Sequence, residues 1–69
     1  MLEIFICEDN LAQRTSLEQL IQQTILLNNW EMTLRLNTEN PLEILTYLEE
    51  YPQTQGVYFL DVDLNTEMN

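Results

Sequence analysis

The 69-residue sequence has no lysine, no histidine, one cysteine and one glycine. Without histidine it has no imidazole metal ligand and no imidazole acid or base. Without lysine it has no Schiff-base amine and no ammonium to hold a phosphate. Cys7 has no second cysteine to bridge to, and it lies inside an apolar run. It therefore reads as a small buried hydrophobe in a reducing compartment. Positive charge is confined to two arginines against twelve Asp and Glu, for a net charge of −10. Such a surface repels phosphate backbones and anionic bilayers, so this segment is not itself a binder of nucleic acid or lipid. Cations and basic partner surfaces are its natural complements. No apolar stretch reaches the ~20 residues that span a bilayer, and no basic leader precedes one. The expected location is the cytoplasm, with no membrane partner.

Hydrophobic residues make up 45% of the chain, with no repeat, linker or low-complexity tract. That composition implies one small folded unit. At this length about 60% of the unfolded surface is buried on folding, so stability is marginal unless something else adds to it.

The apolar periodicity gives a sequence of elements. Leu2 to Cys7 is nearly continuous in apolar character, as in a strand buried on both faces of a parallel sheet. Asn10, followed by Gln13, has the pattern of a helix N-cap with a capping box. The helix it opens is expected to bury Leu17, Leu20, Ile21, Thr24 and Leu27, and to end near Asn28 and Asn29. Trp30, Met32, Leu34 and Leu36 alternate with Glu31, Thr33 and Arg35, which predicts an edge strand with one wet face. Asn40, Pro41 and Glu43 supply an N-cap, a first-turn proline and a second capping-box pattern. Ile44, Leu45, Leu48 and Tyr51 give the buried stripe of that helix, and Pro52 stops it. Val57 to Leu60 is a third strand, apolar on both faces.

The order β-α-β-α-β predicts an α/β fold with a parallel sheet. Spatial order 2-1-3 puts the alternating strand at one edge and leaves the third strand without the outer neighbour its sequence suits. The chain thus reads as the first half of a doubly wound, flavodoxin-like domain. Self-association through the open edge of the third strand, or only partial folding, is expected.

In such sheets a ligand crevice opens at the carboxyl ends of the strands, where the chain departs in opposite directions. The first strand ends in Glu8 and Asp9, and the third ends in Asp61. Adjacent strands lie ~4.8 Å apart, so these carboxylates are expected to converge. Carboxylates brought together repel, and with no lysine to neutralise them a divalent cation is the simplest remedy. Oxygen-only ligands point to Mg²⁺ rather than Zn²⁺. A carboxylate beside Mg²⁺ in a crevice suits phosphoryl transfer through an aspartyl phosphate. Glu8 and Asp9 also fit a blander role, as acids at a helix start. Asp63 fits that of an ordinary loop aspartate.

"IFICEDN" at 4–10 and "YFLDVDLNTEMN" at 58–69 resemble the first and third strands of response-regulator receiver domains in bacterial two-component signalling. The resemblance is closest to the branch with LytTR-type DNA-binding output domains, including quorum-sensing regulators of the accessory-gene-regulator type. It implies that Asp61 is the phosphoacceptor and that Glu8 and Asp9 hold Mg²⁺ together with Asp61. It also implies that the backbone carbonyl of Asp63 completes the metal site. The partner it implies is a sensor histidine kinase, with DNA contacted only through an output domain outside this chain. Receivers of this kind also use a Ser or Thr after a fourth strand and a Lys after a fifth, so residues 1–69 correspond to a partial receiver domain. The segment is expected to accept a phosphoryl group rather than to be an enzyme in its own right.

Two other readings compete. "DVDLN" at 61–65 nearly matches the Asp-x-Asp-x-Thr/Val signature of haloacid-dehalogenase-type phosphohydrolases. Asn65 departs from that signature, however, and two βα units precede it where the family has none. The other reading is a receiver-like module used only for protein docking.

Overall fold

The computed structural model describes residues 1–61. The apolar N-terminal run forms strand β1, Leu2–Cys7, whose Ile and Phe residues suit an extended chain covered on both faces. Helix α1 (Leu11–Asn28), strand β2 (Met32–Thr38), helix α2 (Pro41–Glu50) and strand β3 (Gly56–Leu60) follow. β1 is central and pairs in parallel with β2 on one side and β3 on the other, giving the sheet order 2-1-3. The α/β architecture and strand order expected from the sequence are those observed.

The side-chain alternation of β1 divides the core into two layers. Ile4 and Ile6 face α1 and pack with Ile21, Leu17, Ile25, Met32, Leu34 and Val57. Phe5 and Cys7 face the other way, toward α2, and pack with Ile44, Leu36, Tyr47 and Leu48. Phe5 and Ile6 are fully buried. Burial of one such side chain contributes roughly 1.5–3 kcal/mol, a large share of what a chain of this size can gather.

Both helices begin where the asparagines place them. The Asn10 side chain accepts a hydrogen bond from the Gln13 N–H at 2.9 Å, and Asn40 accepts one from the Leu42 N–H at 3.0 Å. The reciprocal half of each capping box differs from expectation. The Asn10 N–H donates to Glu8 Oε2 at 2.8 Å, and the Asn40 N–H donates to Thr38 Oγ1 at 3.0 Å. In each case a side chain from the preceding strand end does the work expected of Gln13 or Glu43. α1 ends at Asn29, whose left-handed backbone (φ 55°) lets the Asn29 and Trp30 N–H groups donate to Leu26 and Ile25 carbonyls.

Three packing expectations need correction. In α1, Leu20 and Leu27 are exposed and Ile25 is inside, because the helix carries apolar residues around most of its circumference. The three-stranded sheet selects the row Leu17, Ile21, Ile25. In α2, Tyr47 rather than Leu45 or Tyr51 joins Ile44 and Leu48, drawn in by Phe5 at 5.5 Å between ring centroids. In β2, the register against β1 shifts between Ile4 and Phe5, so that Ile4 opposes Leu34 while Phe5 opposes Leu36. The extra residue, Arg35, is a bulge that sends Met32 and Leu34 to the α1 layer and Leu36 to the α2 layer. Trp30 lies ahead of this strand and is half exposed.

Candidate functional site

The carboxyl ends of β1 and β3 meet in register, with Cys7 opposite Leu60. Beyond them the Asp61 N–H donates to the Cys7 carbonyl at 3.0 Å, continuing the ladder and fixing the Asp61 backbone beside Glu8. On the other side the Glu8 N–H donates to the Thr38 carbonyl at 3.0 Å. Glu8 thus bridges both flanking strands at the point where the sheet ends.

Glu8 is only 5% exposed, unusual for a carboxylate, whereas Asp9 and Asp61 are open to solvent. Among the described residues its Oε2 accepts from the Asn10 N–H, which favours the ionised form. The Asp61 carboxyl, burial and the Asp9 carboxyl act in the opposite direction, and together they hold the Glu8 carboxyl above its ordinary range. Glu8 thus feels both aspartates, but among the described residues the three carboxylates do not close into one cluster. Glu8 also has the blander role, since its bond to the Asn10 N–H supports the start of α1.

Cys7 lies immediately beneath these acids. Burial first, then the Asp9 and Glu8 carboxylates, push its thiol up, so it is a packed side chain and not an activated nucleophile.

Arg14 was not singled out by the sequence. Its Nη1 donates to the Glu8 carbonyl at 2.9 Å and lies 3.9 Å from Glu39 Oε1. It ties the first turn of α1 and the loop after β2 to the end of β1. The only signal for it was its rarity, as one of two cations placed one turn past the acidic pair.

The donor set at this edge is carboxylate oxygen, suited to a hard divalent cation. Asp9 and Asp61 are exposed, and Glu8 offers a buried carboxyl that pairs with the Asn10 N–H and with no cation among the described residues. Carboxylate oxygens are the donor type that Mg²⁺ takes. Among the described residues, no three acidic or thiol groups already stand close enough to enclose one. Asp63, expected to contribute its carbonyl, lies outside the described residues.

The chain is 37% identical over 68 residues to accessory gene regulator protein A of Staphylococcus aureus and, at the same identity, to that of Staphylococcus epidermidis. The match takes in 99% of this chain and 28% of each relative, so the chain spans a little over a quarter of the length of these curated relatives. No family model and no solved structure matches it.

Proposed function

We propose, for a chain that is a response-regulator receiver segment related to the accessory gene regulator A proteins, that Asp61 accepts a phosphoryl group from the phosphohistidine of a sensor kinase. One observation carries this reading: Asp61 is exposed, its backbone is tied to Cys7, and its carboxyl bears on the buried Glu8. An Asp61 oxygen attacks phosphorus while the P–N bond of the donor breaks, and the departing imidazole takes up a proton. Glu8 and Asp9, with Asp61 and the Asp63 carbonyl, are the residues that would hold Mg²⁺. When bound, the ion would neutralise charge on the phosphoryl oxygens. Glu8 is braced by the Asn10 N–H through its side chain and by Arg14 through its carbonyl.

The consequence for transcription belongs to an output domain outside these residues, since a segment of net charge −10 does not approach DNA. No helix among the described residues is long and apolar enough to cross a membrane. The proposed setting is the cytoplasm, where a kinase's catalytic domain and DNA are both within reach.

The test is intact-mass analysis after incubation with Mg²⁺ and a small acyl phosphate, on this chain and on the longest product of its parent gene. Asp61→Asn serves as the control. One added phosphoryl group, absent from the control, is the expected result. The open spacing of the acids favours a second reading, a receiver-like docking module. Absence of modification in both chains would decide for that reading.

A further inference from the structure

The β1–β2 ladder ends where the Glu8 N–H donates to the Thr38 carbonyl at 3.0 Å. In a parallel ladder the Glu8 carbonyl would next accept from the N–H two residues beyond Thr38, which is that of Asn40. That donor has turned away. The Asn40 N–H donates to Thr38 Oγ1, and the Asn40 side chain caps α2. The Glu8 carbonyl is thereby left without a partner on β2, at the edge that carries the acids. Arg14 takes that place, its Nη1 donating to the Glu8 carbonyl at 2.9 Å.

The Arg14 side chain is 18% exposed, against 45% for Arg35, so one of the two cations of the chain is largely withdrawn from water to make this bond. Its other contact, Glu39 Oε1 at 3.9 Å, belongs to a side chain open to solvent and adds little. Glu8 itself is already held, through its N–H, by Thr38. Asp9 is not: it lies one peptide past the last ladder bond. The Glu8 carbonyl and the Asp9 N–H share one planar peptide, so the donor that holds the carbonyl sets the direction in which the chain leaves β1. It therefore sets where the Asp9 side chain starts.

We propose that Arg14 is a positioning residue for Asp9, fixing the Glu8–Asp9 peptide so that the two carboxylates are presented together at the end of β1. The inference rests on the reading of this edge as a Mg²⁺ and phosphoryl site, and Arg14 itself touches neither group. A guanidinium beside an acidic edge also repels a cation. The two effects have opposite signs. Losing the positioning weakens Mg²⁺ binding, whereas losing the repulsion tightens it. A residue that only supported the start of α1 would change folding and leave the Mg²⁺ affinity of the folded protein alone.

The test is a Mg²⁺ titration at fixed pH and ionic strength, followed at the carboxyl carbons of Glu8 and Asp9 in the longest product of the parent gene. Arg14→Met keeps most of the apolar stem and removes the donor and the charge. It should weaken Mg²⁺ binding by about tenfold or more and move the Glu8 carbonyl-carbon signal, with unchanged far-UV circular dichroism. Arg14→Lys keeps a charged donor with a shorter reach and should bind with intermediate affinity. Arg35→Leu removes the same charge at the far end of β1 and should change the affinity by less than about twofold. Unchanged or tighter binding in Arg14→Met would overturn the proposal and leave the reading of the site standing. So would an equal loss in Arg35→Leu. If Arg14→Met does not fold, Arg14→Lys decides, and affinity at or above that of the unsubstituted protein overturns the proposal. Mg²⁺ that moves neither carboxyl signal in the unsubstituted protein would overturn the reading and the proposal together.

Discussion

Glu3 and Glu8 stand at opposite ends of the same strand, and their surroundings push them in opposite directions. Glu3 accepts from Arg35 Nε at 2.7 Å and from Tyr47 Oη at 2.8 Å, and these bonds hold its carboxyl below the ordinary range despite partial burial. Its partners respond in kind: the hydrogen bond to Glu3 raises both Arg35 and Tyr47. Glu8 has the Asn10 N–H on its side, but Asp61, burial and Asp9 outweigh it, and its carboxyl is held above the ordinary range. One end of β1 is thus finished by the chain itself. At the other, Arg14 reaches the Glu8 carbonyl and Glu39, and among the described residues the Glu8 carboxyl itself has the Asn10 N–H as its hydrogen-bond donor. The same residue type marks a structural contact at one end and a candidate ligand site at the other.

The largest disturbance to this contrast is at the centre of the strand. Phe5 is fully buried and touches Tyr47 and Tyr58, so it supports both ends at once. Phe5→Ala should cost about 3–5 kcal/mol, comparable to the roughly 3–5 kcal/mol that a core of this size supplies. A chemical denaturation curve should then show no cooperative transition, and a retained one would place the main core elsewhere.

Next in size is removal of one member of the acidic pair. Asp61→Asn should bring the Glu8 carboxyl back toward its ordinary range, read by carboxyl-carbon NMR titration, while Glu3 does not move. Because Glu8 is raised in the folded chain, it favours folding when protonated. That contribution fades as pH rises from the ordinary glutamate range through the raised one. In Asp61→Asn the loss of stability over that window should shrink.

The smallest effect is expected at the finished end. Glu3 is lowered on folding, so its contribution is present above the ordinary glutamate range and is lost as pH falls through the lowered one. Arg35→Leu removes the main cause and should flatten that acid limb of the stability profile. The change should be modest and salt-sensitive, because the Arg35 side chain is 45% exposed. An acid limb unchanged by Arg35→Leu would mean that Tyr47 alone sets the state of Glu3.

The sequence made the finished and unfinished ends legible to different degrees. Element order, strand order and both asparagine caps were readable, because each rests on local periodicity or on one residue's backbone preference. The Glu3 cluster was not, since it depends on the Arg35 bulge, and a one-residue register shift leaves no mark in a β2 sequence that alternates throughout. The α1 stripe was legible in part: Leu17 and Ile21 lie in the core as expected, but Leu20 and Leu27 are exposed and Ile25 takes their place, because both rows satisfy helical spacing. Only the width of the sheet decides between the two rows. At the acidic edge, Glu8, Asp9 and Asp61 were visible as carboxylates ending apolar runs. Arg14 was not, because it binds a backbone carbonyl, and any side chain could precede such a carbonyl.

The most direct test of the account is a Mg²⁺ titration followed at the carboxyl carbons of Glu8 and Glu3 in the same sample. Mg²⁺ should lower the pH at which Glu8 titrates, bind more tightly as pH rises through that range, and leave Glu3 where it was. Glu8 titrating in the ordinary range before any Mg²⁺ is added would contradict the account, as would a Glu8 titration that Mg²⁺ does not move.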